Sequence, residues 1–396
     1  MSELRRAETP SERPQVSLTL AKTNEEWMTD FRGKIAERRV PLSGTLELTS
    51  RCNLKCVHCY LGPQEEQWKK RSEEMSTEKV LGIIDEIVAA GTMYLLITGG
   101  DPMVHRDFKK VYRYAREKGL LVTVFCDGIL VNDQIIELFK DLPPFVVEIS
   151  IYGATQETYE AVTRVKGSYP KALRGIERLL ENGIKVSLKT VLMTVNQHEL
   201  PGMRAIADSY GVAFRMDNAI FPCLPNSSKD PLQYRVSPKE AVRAEMADPK
   251  RADEWLRYVE KRKETPVGEM TYRCGAGVNS FHVDPFGYAS PCLMTTQYRH
   301  SLHEKSFSSL WEKELVQLRS HRPRESYGCN SCEMQVACSG CPGFNYQETG
   351  HEDVKSEYVC ETTKERWQTI QLLARTKALV SGKVPAPFSP AERAAE

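Results

Sequence analysis

The sequence predicts an α/β fold: a parallel sheet curled into a partial (β/α)6 barrel, followed by a small cysteine-rich α+β domain. Three observations predict it. Short apolar or alternating segments recur six times between stretches of helical period from Gly44 to Asn218, the order that a parallel sheet with crossover helices requires. After Ile220 that rhythm gives way to a stretch rich in proline and then in charge. Seven cysteines then crowd the segment from Cys274 to Cys360.

The strands are expected at Gly44–Thr49, Met93–Thr98, Leu120–Phe125, Phe145–Ile151, Lys185–Leu192 and Ala213–Asn218. Between them lie helices at Ser76–Ala90, which opens on a Ser/Thr cap, and at Phe108–Lys118 and Asn132–Lys140. Gln156–Arg164 with Tyr169–Glu181, and then Glu199–Tyr210, complete the set. In a TIM-like barrel of this kind, sites assemble from loops at the C-terminal ends of the strands. The division expected is an N-terminal extension over 1–43 with a short helix at Asn24–Arg39, the barrel over 44–220, and a bridge over 221–271. Within the bridge Pro238–Lys263 reads as helical. The cysteine-rich domain spans 272–375, and a Pro/Ala-rich tail over 376–396 has no core pattern and is expected to be disordered.

A chain of 396 residues holds one large or two moderate cores. Its net charge of +1 gives no electrostatic case for nucleic acid or an anionic membrane. No apolar run reaches the roughly 18 residues of a membrane span, and the polar stretch Met1–Pro14 lacks the apolar core of a secretory signal. Twelve cysteines in a chain expected to be cytoplasmic point to metal rather than disulfides.

Arg51-Cys-Asn-Leu-Lys-Cys-Val-His-Cys-Tyr60 follows the first strand and puts three thiols, Cys52, Cys56 and Cys59, on one short loop. A 4Fe–4S cluster normally takes four thiolates, so three leave one iron open. A zinc site would need a fourth ligand nearby, and His58 is the candidate for it. The Cys-x3-Cys-x-(aromatic)-Cys pattern resembles the cluster loop of the radical SAM superfamily, with His58 at the aromatic position. The resemblance implies that the open iron chelates S-adenosylmethionine. Thr98-Gly-Gly-Asp-Pro102 then stands where the family carries Gly-Gly-Glu on the methionyl amine, which assigns Gly99, Gly100 and Asp101 to the cofactor. Asp101 is one methylene shorter than the family's Glu, and an ordinary Gly-Asp-Pro turn is the plainer alternative. Asp127, in Cys126-Asp-Gly128, matches a family Asn, although turn chemistry accounts equally for Asp-Gly. Ser150 matches a ribose-contacting Ser and Arg164 a carboxylate-binding Arg, while Lys189 and Leu192 on the fifth strand are expected near the adenosyl group.

Cys329-x2-Cys332-x5-Cys338-x2-Cys341 is open to two readings, a zinc ribbon with a short middle gap or iron–sulfur ligation. With Cys274, Cys292 and Cys360 it resembles the SPASM extension, the twin-cluster domain of radical SAM maturases, except that the family spaces the last pair by x3. The resemblance implies one auxiliary 4Fe–4S cluster on Cys329, Cys332, Cys338 and Cys360, and another on Cys274, Cys292 and Cys341, short of one ligand. Cys223, His282, Asp284 or an open iron completes the second. Cys126 reads as a small buried hydrophobe.

The implied function is reductive cleavage of S-adenosylmethionine at the first of three 4Fe–4S clusters. Hydrogen abstraction from a residue of a ribosomally made precursor peptide follows, giving a crosslink, a thioether or an oxidised side chain. A flavodoxin- or ferredoxin-type reductant is expected. So is a separate leader-recognition protein, because the N-terminal extension is too short to hold such a domain. The alternatives are a sulfatase-maturing formylglycine-forming enzyme, a haem-precursor modifier, or a non-catalytic iron–sulfur or zinc module. Sequence alone picks out no catalytic acid or base.

Overall fold

The structure is a computed structural model and describes residues 23–223, 229–262 and 270–380. The chain divides into two compact units, one ending at Arg38 and one beginning at Arg39, ahead of the boundary expected at 43/44. The first unit contains α1 (Asn24–Glu37), which stops short of the expected Arg39. Thr23 and Glu26 form a reciprocal capping box at its start, satisfying two of the backbone donors that a helix leaves open. Trp27 and Phe31 stack along one side, one turn apart.

The second unit begins with β1 (Ser43–Glu47), α2 (Gln64–Lys69), α3 (Thr77–Ala89), β2 (Tyr94–Thr98), α4 (Phe108–Glu117), β3 (Leu121–Cys126) and α5 (Asp133–Asp141). It continues with β4 (Val146–Ser150), α6 (Gln156–Thr163), α7 (Ser168–Glu181), β5 (Val186–Val191), α8 (Leu200–Ser209) and β6 (Ala213–Asp217). Helix α3 shows how local sequence sets these elements. Ser76 caps it by accepting from the Lys79 N–H, and Val80, Ile83, Ile84 and Ile87 fall on the face it buries. All six expected strand–helix units are present, and neighbouring strands from β1 to β6 pair in parallel.

The remainder holds α9 (Pro238–Met246), α10 (Pro249–Arg262), β7 (Ser280–Val283), β8 (Tyr288–Ser290), β9 (His300–Ser301), α11 (Phe307–Lys313), α12 (Pro342–Thr349) and α13 (Glu357–Val380). Two expectations are corrected here. The helix read over Pro238–Lys263 is two helices, broken before Pro249, where the proline ring disfavours helical geometry in the residue ahead of it. The tail placed at 376 starts later, because α13 runs to Val380; the rest of that tail lies outside the described residues. The cysteine-rich segment follows the barrel in sequence, as expected, and also extends its sheet. The sheet order is β6-β5-β4-β3-β2-β1-β7-β8-β9, so β7 adds in parallel to the open edge of β1. β8 and β9 continue the sheet antiparallel. Gly44 permits this pairing: a Cβ there would stand 2.2 Å from the Phe281 ring. One hydrophobic core accordingly joins Leu46 and Ile97 of the barrel to Phe281, Phe307 and Leu310 of the C-terminal part.

Candidate active site at the mouth of the barrel

Because β1 to β7 are parallel, their C-terminal ends open on one side, and the loop after β1 lies there. Its root is fixed by Arg51, whose guanidinium pairs with Glu74 at 2.9 Å with both side chains buried. Glu74 also accepts from the Ser50 N–H at 3.0 Å. The Cys52 carbonyl accepts from Gln64 at 2.7 Å and from the Trp68 indole at 3.1 Å. Farther along, the Lys55 and Val57 N–H groups donate to the Thr163 and Val162 carbonyls at the end of α6, each at 2.9 Å. The loop is therefore held at its root and along its length by groups distant in sequence.

Cys52, Cys56 and Cys59 all line a cavity of about 500 Å³ within the barrel mouth. Burial pushes each of the three thiols up from its ordinary value. They stay protonated until a bound cation compensates the thiolate charge. Among the described residues no three His, Cys, Asp or Glu side chains are grouped to share one metal ion. A cubane needs no such convergence, since each thiolate meets its own iron. His58 is half-buried, T-stacked on Tyr152 with ring centroids 4.8 Å apart. Burial lowers it to about 4, so the ring is neutral, and its Nδ1 has no hydrogen-bond partner in the protein.

The Gly-Gly-Asp loop presses against this root. The Gly100 N–H donates to the Thr49 carbonyl at 2.8 Å and the Asp101 N–H to the Arg51 carbonyl at 3.0 Å. A Cβ on Gly99, whose φ is +143°, would lie 2.2 Å from the Thr49 oxygen, so backbone alone faces the cavity there. Gly99, Gly100 and Asp127 line the cavity and Asp101 does not. The Asp101 carboxylate turns back into the protein, accepting from the Met103 and Asp127 N–H groups at 2.9 Å each. Of the two carboxylates, Asp127 is the one on the cavity wall. Burial first, then the Asp101 charge, push the Asp127 carboxyl well above the carboxylate range, and its Oδ2 is buried without a partner.

Ser150 and Lys189 line the cavity as expected. Burial pushes the Lys189 ammonium down to about 7, against an opposing pull from Glu148. Leu192 and Arg164 do not reach the cavity. Leu192 lies just past the end of β5 and packs with Leu200, Met203 and Val236 in a separate core. Arg164 is the left-handed residue that ends α6, with its side chain exposed.

Residues not singled out beforehand complete the wall, above all Glu47, Tyr60 and Tyr152. Glu47 is 3% exposed; its Oε1 accepts from the Tyr60 hydroxyl at 2.7 Å, and its Oε2 lies 3.7 Å from His282 Nε2. Burial pushes the Glu47 carboxyl up, but His282 and Tyr60 together bring it below its ordinary value. The signal was present in the sequence as a lone carboxylate in the alternation of the first strand.

The C-terminal cysteines fall into two neighbourhoods. Burial and then the proximity of Cys274 raise the Cys292 thiol, and burial, Cys292 and Cys274 raise Cys341. Cys329 is raised by burial and, more weakly, by Cys338, Cys332 and Cys360. Cys292 also lines the barrel cavity. The three residues expected as a fourth ligand beside Cys274, Cys292 and Cys341 are engaged elsewhere. Cys223 donates to the Cys59 carbonyl at 3.4 Å, beside the barrel loop. Asp284 pairs with Arg299 at 2.6 Å and accepts from turn N–H groups of Phe286 and Tyr288. His282 lies between Glu47 and Ser290.

Three thiols on one wall, a glycine backbone without side chains, and the unpartnered polar atoms of His58 and Asp127 suit a thiolate-held cluster with an amine- and carboxylate-bearing ligand. The family comparison agrees. Residues 46–205, the barrel segment, match the radical SAM superfamily. Over 340 residues it is 26% identical to the AdoMet-dependent heme synthase of Methanosarcina barkeri (strain Fusaro / DSM 804), covering 80% of this chain and 95% of that protein. Over 320 residues it is 28% identical to the mycofactocin maturase MftC of Mycobacterium ulcerans (strain Agy99), covering 76% and 82%. The fold is similar to that of Streptococcus suis SuiB, with a TM-score of 0.65 at 16% identity over 87% of this chain and 84% of the other. No helix among the described residues is long and apolar enough to cross a membrane.

Proposed function

We propose that the protein is a peptide maturase that oxidises a residue of a ribosomally made precursor peptide, installing a crosslink, a thioether or an oxidised side chain. The observation that carries this reading is one continuous cavity, with Cys52, Cys56 and Cys59 on its cluster-loop wall and Cys292 on the wall toward the C-terminal cysteines. A substrate seated there lies between two sets of iron ligands. When bound at the reduced barrel cluster, S-adenosylmethionine supplies a 5′-deoxyadenosyl radical, and that chemistry belongs to the cofactor.

The protein's contribution is aim and exclusion of water. The Gly99–Gly100 backbone and Asp127 hold the amine, Ser150 and Lys189 face the rest of the cofactor, and Tyr152 with His58 closes the wall behind the cluster. The C-terminal cysteines hold two auxiliary 4Fe–4S clusters, Cys329, Cys332, Cys338 and Cys360 on one, and Cys274, Cys292 and Cys341 on the other. The reductant is a flavodoxin or ferredoxin, and leader recognition falls to a separate protein. The likeness to MftC, named a maturase, supports a peptide substrate.

A haem-precursor porphyrin is the second reading, favoured by the 95% coverage of the heme synthase. The deciding experiment is anaerobic reconstitution followed by mass spectrometry for 5′-deoxyadenosine, first without substrate and then with a displayed library of random peptides. Peptides that lose two hydrogens support the proposal. Turnover of a porphyrin with no peptide modified moves the assignment to the second reading.

A further inference from the structure

The oxidation proposed above must dispose of a proton, and the barrel holds a group placed to take it. Five residues form a polar chain across the cavity from the cluster loop to the first C-terminal cysteine set. The Tyr60 hydroxyl donates to Glu47 at 2.7 Å; Glu47 faces His282 Nε2 at 3.7 Å; His282 Nδ1 lies 3.3 Å from the Ser290 hydroxyl; and that hydroxyl donates to the Cys292 carbonyl at 3.0 Å. Glu47 and His282 are 3% and 6% exposed.

The network sets the tautomer. A hydroxyl has one proton, and Ser290 spends it on the Cys292 carbonyl, so Ser290 accepts from His282 Nδ1–H. In that Nδ1–H tautomer the ring carries no proton on Nε2, the nitrogen that faces the Glu47 carboxylate. Nε2 accordingly has no hydrogen-bond partner. Glu47 Oε2 and His282 Nε2 stand 3.7 Å apart, across a space suited to one proton. The other Glu47 oxygen is already occupied by Tyr60, which fixes the carboxylate toward the ring.

We infer that the Glu47–His282 pair is the catalytic base of this site, with Tyr60 and Ser290 as positioning residues. Breaking the substrate C–H bond and forming a C–H bond of 5′-deoxyadenosine leaves one unpaired electron on the substrate carbon. As that carbon bonds to a nucleophilic X–H group of the peptide, the X–H bond breaks, one electron leaves to an oxidised iron–sulfur cluster of the C-terminal set, and the proton goes to His282 Nε2. His282 becomes the imidazolium, stabilised by Glu47 alongside. The assignment rests on the proposed oxidation of a peptide.

The test uses Glu47→Gln, His282→Asn and Tyr60→Phe holoenzymes, with a library-selected peptide, in deuterated buffer. Expected for Glu47→Gln and His282→Asn is modified peptide per 5′-deoxyadenosine formed falling at least tenfold. The recovered unmodified peptide carries one deuterium at the reacting carbon, because a radical that cannot complete its oxidation is reduced and quenched by solvent. Tyr60→Phe, which leaves both members of the pair in place, gives a smaller fall. Product yield unchanged in both pair variants overturns the inference, and so does a fall with no deuterium in the recovered peptide. A readout independent of turnover is the imidazole nitrogen shifts of 15N-His-labelled enzyme with oxidised clusters. The Nδ1–H form at His282, released by Ser290→Ala, is expected, and the Nε2–H form overturns the assignment. If the parent enzyme modifies no library peptide, the proposed function fails, while the tautomer measurement still decides whether the pair is built as described.

Discussion

Asp101 Oδ2 accepts the backbone N–H of Asp127 at 2.9 Å, so the carboxylate that the motif points toward the cofactor instead ties together the loops after β2 and β3. Its other oxygen takes the Met103 N–H. Asp101→Ala leaves the buried Asp127 N–H and the half-buried Met103 N–H without an acceptor, and a loss of about 2–4 kcal/mol in unfolding free energy is expected. Asp101→Asn, which keeps one acceptor oxygen, loses roughly half of that. Asp127→Asn is expected to unfold like the parent but to bind S-adenosylmethionine about tenfold more weakly, since one charge-assisted hydrogen bond to the amine is lost. Equal affinity for the cofactor in parent and Asp127→Asn proteins would remove Asp127 from the amine site.

Gly99 admits no side chain. An alanine Cβ would stand 2.2 Å from the Thr49 oxygen, at a φ of +143°. Gly99→Ala is expected to displace the loop and cut 5′-deoxyadenosine formation more than tenfold while leaving the iron of the C-terminal cysteines in place. Gly82→Ala, with nothing within 4 Å of the added carbon, is the control, and on an exposed helix position it gains roughly 0.5–1 kcal/mol.

The Arg51–Glu74 pair lies at the root of the cluster loop with side chains only 7% and 4% exposed. Removing one partner strands a buried charge, so Glu74→Ala is expected to cost about 3–5 kcal/mol and to lower iron bound at the barrel site. Thermal unfolding with iron content checks both.

Lys189 gives a pH dependence of definite sign. Burial first, against Glu148, brings its ammonium down to about 7, whereas in the unfolded chain it titrates near 10.4. Below about pH 7 both states hold the proton and the folded state carries the cost of a buried charge. Between about 7 and about 10.4 the unfolded state binds more protons, so this residue makes stability rise with pH. Lys189→Met is expected to stabilise the cofactor-free protein at pH 6 by roughly 3 kcal/mol, with the gain shrinking toward pH 9. Thermal unfolding of both proteins across that range tests it, and a gain constant with pH would contradict it.

The two cysteine neighbourhoods make different predictions for iron. The parent is expected to bind about twelve irons and the Cys52/Cys56/Cys59→Ala variant about eight, with loss of S-adenosylmethionine cleavage. A Cys329/Cys332→Ala variant also falls to about eight but keeps cleavage without substrate. Zinc in the C-terminal set would restore the zinc-ribbon reading.

What the sequence by itself determined is what short-range chemistry encodes. Helical period, the Ser76 cap, β alternation and the spacing of Cys52, Cys56 and Cys59 concern neighbours along the chain, and six strand–helix units with their cluster loop were legible from them. The tertiary structure decided which distant groups meet. No local pattern announces that β7 joins the edge of β1, because the sign of it is an absence, the side chain that Gly44 lacks where Phe281 packs. Motif identity placed Asp101 beside the cofactor, but the unpaired N–H groups of Asp127 and Met103 claim its carboxylate, since a buried donor must be satisfied. Leu192 and Arg164 were matched by position along the chain. The end of β5 turns the first into a neighbouring core, and the left-handed end of α6 leaves the second in solvent. Glu47 and His282 are far apart in sequence, and only strand pairing between β1 and β7 gives either one the other as a partner.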